Sequence, residues 1–151
     1  MKYLLLALSL AAVLGTTSAQ QFVLKTYTEK TKISTKTGTA FGIENRYGWE
    51  YGGFYQESSL MESLLSNEKK ANLPRFYEKE FYGMYFSAPV MDSKYVVLKA
   101  HVRTGVSNGQ NFVITPSFFA DYNPSHHIRF GVGVGTRAFR PTLQGSLSIL
   151  F

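Results

Sequence analysis

Eight ionisable residues alternate with apolar ones along predicted extended segments, and this spacing carries most of the chemical content of the sequence. Successive side chains of a strand point to opposite faces, so the charged residues of a segment share one face. If the fold encloses that face, the charges must form ion pairs, since an unpaired buried charge costs several kcal/mol. A path for protons or ions through the same side chains is the alternative. The predicted network comprises Glu44, Arg46, Glu50, Glu80, Lys99, His101, Arg103 and Arg129.

Ser125-His126-His127 is the second candidate for chemistry. Adjacent histidines of a strand face opposite ways and rarely meet one metal ion, so no metal site is predicted. An acyl-transfer site would need a nucleophile, a base and an orienting carboxylate together at one rim. No catalytic residue and no cofactor is therefore predicted, although a lipid-modifying enzyme stays open as an alternative.

The elements that position these residues are strands. Period-two alternation recurs in segments of about ten residues, separated by turn signals such as Asn108-Gly109 and Asn123-Pro124. The pattern predicts an all-β fold, an eight-stranded antiparallel up-and-down β-barrel. Its predicted strands are 22–28, 38–46, 49–57, 76–88, 95–106, 111–122, 127–138 and 142–151.

The N-terminus predicts export. Lys2 precedes an apolar run over 3–14, and Thr17 and Ala19 occupy the −3 and −1 positions of a cleavage site. Residues 1–19 are therefore predicted as a signal peptide and 20–151 as one domain. There is no cysteine, so disulfides and Cys-based metal sites are excluded. The net charge of +6 is distributed along strands instead of forming a patch, and an exported chain is not expected to bind nucleic acid.

The two faces of the predicted strands differ in a way that favours a membrane barrel. The polar face mixes glycines such as Gly131 and Gly133 with long charged groups, which suits the narrow interior of eight strands. The other face carries bulky apolar residues that suit lipid, with aromatic residues near the strand ends. A soluble periplasmic lipocalin-like barrel, which would need an apolar interior for a small apolar ligand, is the other alternative.

Loop lengths predict an orientation. Outer-membrane barrels have short periplasmic turns and longer extracellular loops. If the N-terminus begins in the periplasm, the longest connection, 58–75, lies outside and the short turns at Tyr47-Gly48 and Asn123-Pro124 lie inside. Within this loop, 60–70 has the pattern of a short amphipathic helix, and a solvated loop turn is the other interpretation that the sequence leaves open. The loop is the predicted contact surface for an envelope partner.

The last strand ends on Phe151, with Leu147 and Ile149 at alternate positions before it. This ending resembles the C-terminal assembly signal of outer-membrane barrels, and the whole pattern resembles the small eight-stranded OmpA/OmpX-type family. The resemblance implies a Gram-negative outer-membrane location, contact with membrane lipid and lipopolysaccharide, and insertion by the barrel assembly machinery. It implies a non-enzymatic structural, adhesion or accessory subunit of an envelope complex.

Overall fold

The computed structural model describes residues 20–31, 35–58, 80–137 and 140–151. The predicted signal peptide and nearly all of loop 58–75 lie outside these residues. Within the described part of the chain, no helix is long and apolar enough to cross a membrane.

Eight antiparallel strands, each paired with its neighbours in sequence, close into a barrel in which β8 also pairs with β1. The predicted fold class, an all-β closed barrel of eight antiparallel strands, is confirmed. The strands are β1 Gln21–Lys30, β2 Thr35–Glu44, β3 Glu50–Ser58, β4 Glu80–Asp92, β5 Val96–Ser107, β6 Asn111–Tyr122, β7 Ile128–Arg137 and β8 Arg140–Leu150.

The register fixes the shape of the barrel. A path around the barrel from each residue to its partner on the next strand begins at Gln21 on β1 and passes through Glu44, Glu50, Ser87, His101, Ser117 and Gly135 to Thr142 on β8. Leu143 pairs with Lys30, so the adjacent Thr142 lies opposite Thr31. The path thus returns to β1 ten residues beyond Gln21. Eight strands with this stagger tilt by roughly 40° around a radius of about 8 Å, and a ten-residue strand then rises about 25 Å along the axis.

Turn chemistry defines the two ends. At the end that holds Phe151, which we call the terminal end, Asn45 accepts hydrogen bonds from the backbone N–H groups of Tyr47 and Trp49, and Gly48 has a φ of 77°. At the opposite or loop end, Asn108 and Gly109 have φ values of 51° and 69°. Asn-Gly accommodates these left-handed conformations in tight hairpins.

Glycines on the inner face make room for aromatic rings. A Cβ on Gly133 would lie 2.9 Å from two ring carbons of Phe119, and a Cβ on Gly38 would lie 2.9 Å from the ring of Tyr27. A Cβ would also lie 2.8 Å from the Phe118 carbonyl oxygen at Gly133 and 2.5 Å from the Tyr55 carbonyl oxygen at Gly38. These separations are shorter than van der Waals contact, so any side chain there would displace the neighbouring strand as well as a ring. The Gly131–Gly135 run is thus a packing feature of β7.

We predict that Gly133→Ala destabilises the barrel by about 1–3 kcal/mol, because the new methyl overpacks the site against Phe119. Urea unfolding in detergent micelles would measure the change. Gly145→Ala is the matched control, since a Cβ there meets nothing within 4 Å, and equal losses in the two variants would contradict the packing account.

Candidate functional site

The interior of the barrel is mainly polar. Among the described residues, eight apolar or aromatic side chains are buried, against eighteen polar or charged ones. The charged side chains form two clusters, one toward each end, separated by a layer of rings. Ion pairs across the interior therefore help to hold the strands together, as apolar contacts do in the core of a soluble protein.

The terminal-end cluster consists of Lys25, Glu44, Glu50, Lys99, Asp121 and Arg129. Glu44 binds both Arg129, at 2.6 and 3.0 Å, and Lys99, at 2.8 Å. Glu50 lies 2.8 Å from Lys25 and accepts a hydrogen bond of 2.8 Å from the hydroxyl of Tyr85. These contacts join β2 to β5 and β7 across the barrel, so they fix opposite walls against each other.

The loop-end cluster consists of Glu29, Gln56, Arg103 and Arg137. One oxygen of Glu29 lies 2.9 Å from Arg103 and 3.2 Å from Arg137, and it also accepts a hydrogen bond of 2.9 Å from Gln56. The Gln56 carbonyl accepts a second bond from Arg137, at 2.9 Å. A single buried carboxylate on β1 therefore holds side chains from β3, β5 and β7.

An aromatic layer of Tyr27, Phe54, Tyr85, His101 and Phe119 separates the two clusters. His101 stacks on Tyr85 with centroids 5.4 Å apart and meets Phe119 edge-on at 5.3 Å. Arg103 lies over Tyr27 at 5.0 Å, which ties the layer to the loop-end cluster. The void that these side chains enclose measures about 10 Å³, room for about one water molecule. The middle of the barrel is thus filled.

The structure brings together six of the eight residues predicted for the network. Glu44, Glu50, Lys99 and Arg129 meet in the terminal-end cluster, Arg103 joins the loop-end cluster, and His101 lies in the aromatic layer.

Arg46 and Glu80 do not belong to the interior. Arg46 lies in the exposed β2–β3 turn, where its guanidinium covers the ring of Tyr47 at 4.6 Å. The predicted second strand ran through this turn, and the strand ends at Glu44 instead. Glu80 begins β4 opposite Glu57 on the outer face, since Phe81 points inward. The sequence did not show which way Glu80 faces, because aromatic residues lie on both faces of this segment.

Sequence reasoning missed five buried charges: Lys25, Glu29, Lys36, Asp121 and Arg137. Lys25 and Glu29 alternate with threonines on the outer face of β1, so the two faces of that strand differ little in polarity. Arg137 follows Gly131, Gly133 and Gly135 at alternate positions, so the sequence pattern could have placed it on the inward face. The partners of these charges could not be predicted, because no local sequence pattern shows which strands meet across a barrel.

Ser125 and His127 are engaged with the backbone at the β6–β7 turn. The Ser125 hydroxyl accepts hydrogen bonds from the N–H groups of His127 and Ile128. The Nδ1–H of His127 donates to the carbonyl of Leu150, at 3.2 Å. These bonds give both residues a role in closing the turn. Across the described ranges, no three His, Cys, Asp or Glu side chains group closely enough to hold a metal ion.

Comparison with known proteins shows the fold alone. No family model and no curated protein matches the chain. Among solved structures, the de novo designed TMB2.3 has a TM-score of 0.62 at 8% identity, over 88% of this chain and 96% of its own. A structure titled "De novo design of transmembrane beta-barrels" has a TM-score of 0.59 at 10% identity, over 89% and 98%. Neisserial surface protein A has a TM-score of 0.43 at 9% identity, over 87% and 96%.

We predict that Glu29→Gln costs about 3–5 kcal/mol of stability, because it leaves the guanidiniums of Arg103 and Arg137 buried without this carboxylate. Urea unfolding monitored by circular dichroism in micelles would measure it. Glu57→Gln is the matched control: Glu57 is exposed, its bond from Tyr55 is 3.4 Å long, and its loss should cost under about 1 kcal/mol. Equal losses in the two variants would contradict the role given to Glu29.

Proposed function

We propose that the chain is a non-enzymatic outer-membrane barrel, held in the bilayer by its outer surface and filled by its two charge clusters. The observation that carries this proposal is the inverted polarity of the strands. In the part of the chain that the structure describes, twenty-six large apolar or aromatic side chains are exposed, while most buried side chains are polar. Full burial of one such apolar side chain stabilises by about 1.5–3 kcal/mol, so leaving the whole set in water would cost tens of kcal/mol.

The exposed residues form a belt around most of the barrel. Most outward positions on β4 to β7 are apolar, as with Met84 at 66% exposure, Phe118 at 66% and Val132 at 63%. The rise of about 25 Å for a ten-residue strand matches the apolar band of outer-membrane barrels. Lipid acyl chains are the environment that such a belt fits.

Aromatic residues border the belt at both ends. Trp49, Tyr95 and Tyr122 lie at the terminal end, and Tyr82 and Phe112 lie toward the loop end. The basic side chains beside the first group cover neighbouring rings: Lys94 lies 5.1 Å from the ring of Tyr95, in the same way that Arg46 covers Tyr47. Amphipathic rings with cations beside them are typical of the headgroup level of a bilayer.

The interior argues against the soluble-barrel alternative, since charged clusters and rings occupy the space that an apolar ligand would need. The backbone bonds of Ser125 and His127 likewise give no support to acyl transfer. We retain the orientation with both termini in the periplasm. The outer end of the barrel would then carry loop 58–75 toward lipopolysaccharide and an envelope partner. The strand ending at Phe151 would be the signal for assembly.

The first test is fractionation of the expressed protein. We expect it in the outer-membrane fraction, with a folded gel band that migrates differently from the boiled one, because a closed barrel resists detergent until it is heated. Arg46→Gln, a change in an exposed turn, is the control that should fractionate as wild type does. Recovery in the soluble periplasm would refute the proposal.

A second test uses Trp49, the one tryptophan of the chain. In vesicles of brominated phospholipids we expect the strongest fluorescence quenching from bromine near the headgroup, because Trp49 lies at the edge of the belt against Phe86. The matched variant Trp49→Phe with Val132→Trp should instead be quenched most by bromine near mid-chain. Equal quenching profiles, or no quenching, would contradict the placement.

A further inference from the structure

One sector of the outer wall breaks the apolar belt. On β1 and β2 the outward residues toward the terminal end are apolar, but the next four positions are Thr26, Thr28, Thr37 and Thr39, all exposed. We call these four residues the threonine wall. At matching heights on β4, β5 and β7 the outward residues are Met84, Val102 and Val134. The wall therefore groups four exposed hydroxyls at a depth where the outward residues of β4, β5 and β7 are mainly apolar, with half-buried Thr104 on β5 as an exception.

The wall is also recessed. It lines a shallow groove of about 650 Å³ on the outer surface, bounded by Gly145 on β8 and by Tyr55 and Glu57 on β3. Small side chains let two backbones approach closely within a membrane, and hydroxyls hydrogen-bond across such interfaces. A hydroxyl both donates and accepts, so a threonine surface can pair with an identical one.

Opposite charges flank the wall at equal height. Thr28 on β1 pairs with Thr37 on β2, and Thr37 pairs with Glu57 on β3. Because the strands are tilted, Glu57 lies about 6 Å nearer the loop end than Thr28. Lys30 lies two residues beyond Thr28 on β1, about 5 Å nearer the same end. Lys30 and Glu57 are both exposed, one on each side of β2.

This arrangement suits a two-fold interface. We propose that two copies of this chain associate side by side in the membrane through the threonine wall, with Lys30 of each copy facing Glu57 of the other. A two-fold axis along the membrane normal preserves height and exchanges the strands on either side of β2, as an isologous contact requires. Copies that insert in one direction are related by such an axis. Charge complementarity thus favours a second copy over lipid, which offers the hydroxyls no partners in its acyl region.

The test follows energy transfer between labelled full-length barrels in vesicles over a series of protein-to-lipid ratios. Lys30→Glu or Glu57→Lys alone should weaken dimerisation about tenfold, since each places like charges opposite each other at two symmetric sites. The double variant K30E/E57K should restore wild-type affinity. Thr28→Leu with Thr37→Leu should also weaken the dimer, while Thr136→Leu, an exposed threonine on β7, should not.

The inference rests on the proposed membrane location, and flotation of the same vesicles separates the two. Barrels that float but stay monomeric at every ratio, with lipid covering the wall, would overturn the dimer and leave the proposed function standing. Single charge reversals that associate like wild type, or a Thr136→Leu variant as weak as the wall variant, would also overturn it. Barrels that do not float would overturn both proposals.

Discussion

Pairing of charges inside a narrow barrel is the constraint on which the rest of this structure depends. A barrel with a backbone radius of about 8 Å leaves little room for water between its inward side chains, so a carboxylate there must meet its cations directly. Fully buried Glu29 does so with Arg103 and Arg137, and half-buried Glu44 with Lys99 and Arg129. Because the partners come from strands that are not neighbours, the pairs oppose a change of register as well as satisfying charge. A one-residue slip of any strand would turn its charges outward into the apolar belt.

The filled interior and the apolar exterior are two consequences of the same alternation. Strands β1 to β7 contribute inward residues to the clusters or the aromatic layer, and β8 contributes Gln144, which lines the central void. Outward residues of the same strands form the belt. Glycines then adjust the volume, as where Gly133 leaves space for the ring of Phe119. The outcome is a barrel whose middle is occupied, so its outer surface and its two ends are the parts available for interaction. The threonine wall stands out because it groups four exposed hydroxyls on two neighbouring strands, at a depth where Met84, Val102 and Val134 are apolar on other strands.

The sequence was sufficient for the fold and for part of the network. Period-two patterning predicted eight strands, and the facing of β5 and β7 placed Lys99, Arg103 and Arg129 inward, as the structure has them. The prediction failed where the two faces of a strand differ little in polarity. Threonines opposite Lys25 and Glu29 made the buried face of β1 hard to recognise, and aromatic residues on both faces of β4 led to the wrong face for Glu80. Arg46 was misplaced because a turn interrupted the alternation. Which charges pair depends on strands that meet only after the barrel closes, and no local pattern carries that information.

Contact of the outer face with lipid can be measured by spin-label accessibility in vesicles. The chain has no cysteine, so single labels at Met84→Cys, Val102→Cys and Val132→Cys need no background changes. We expect high accessibility to oxygen and low accessibility to a water-soluble nickel complex at all three sites, since each would face acyl chains on a different strand. Ready access of the nickel complex to these positions would contradict this expectation.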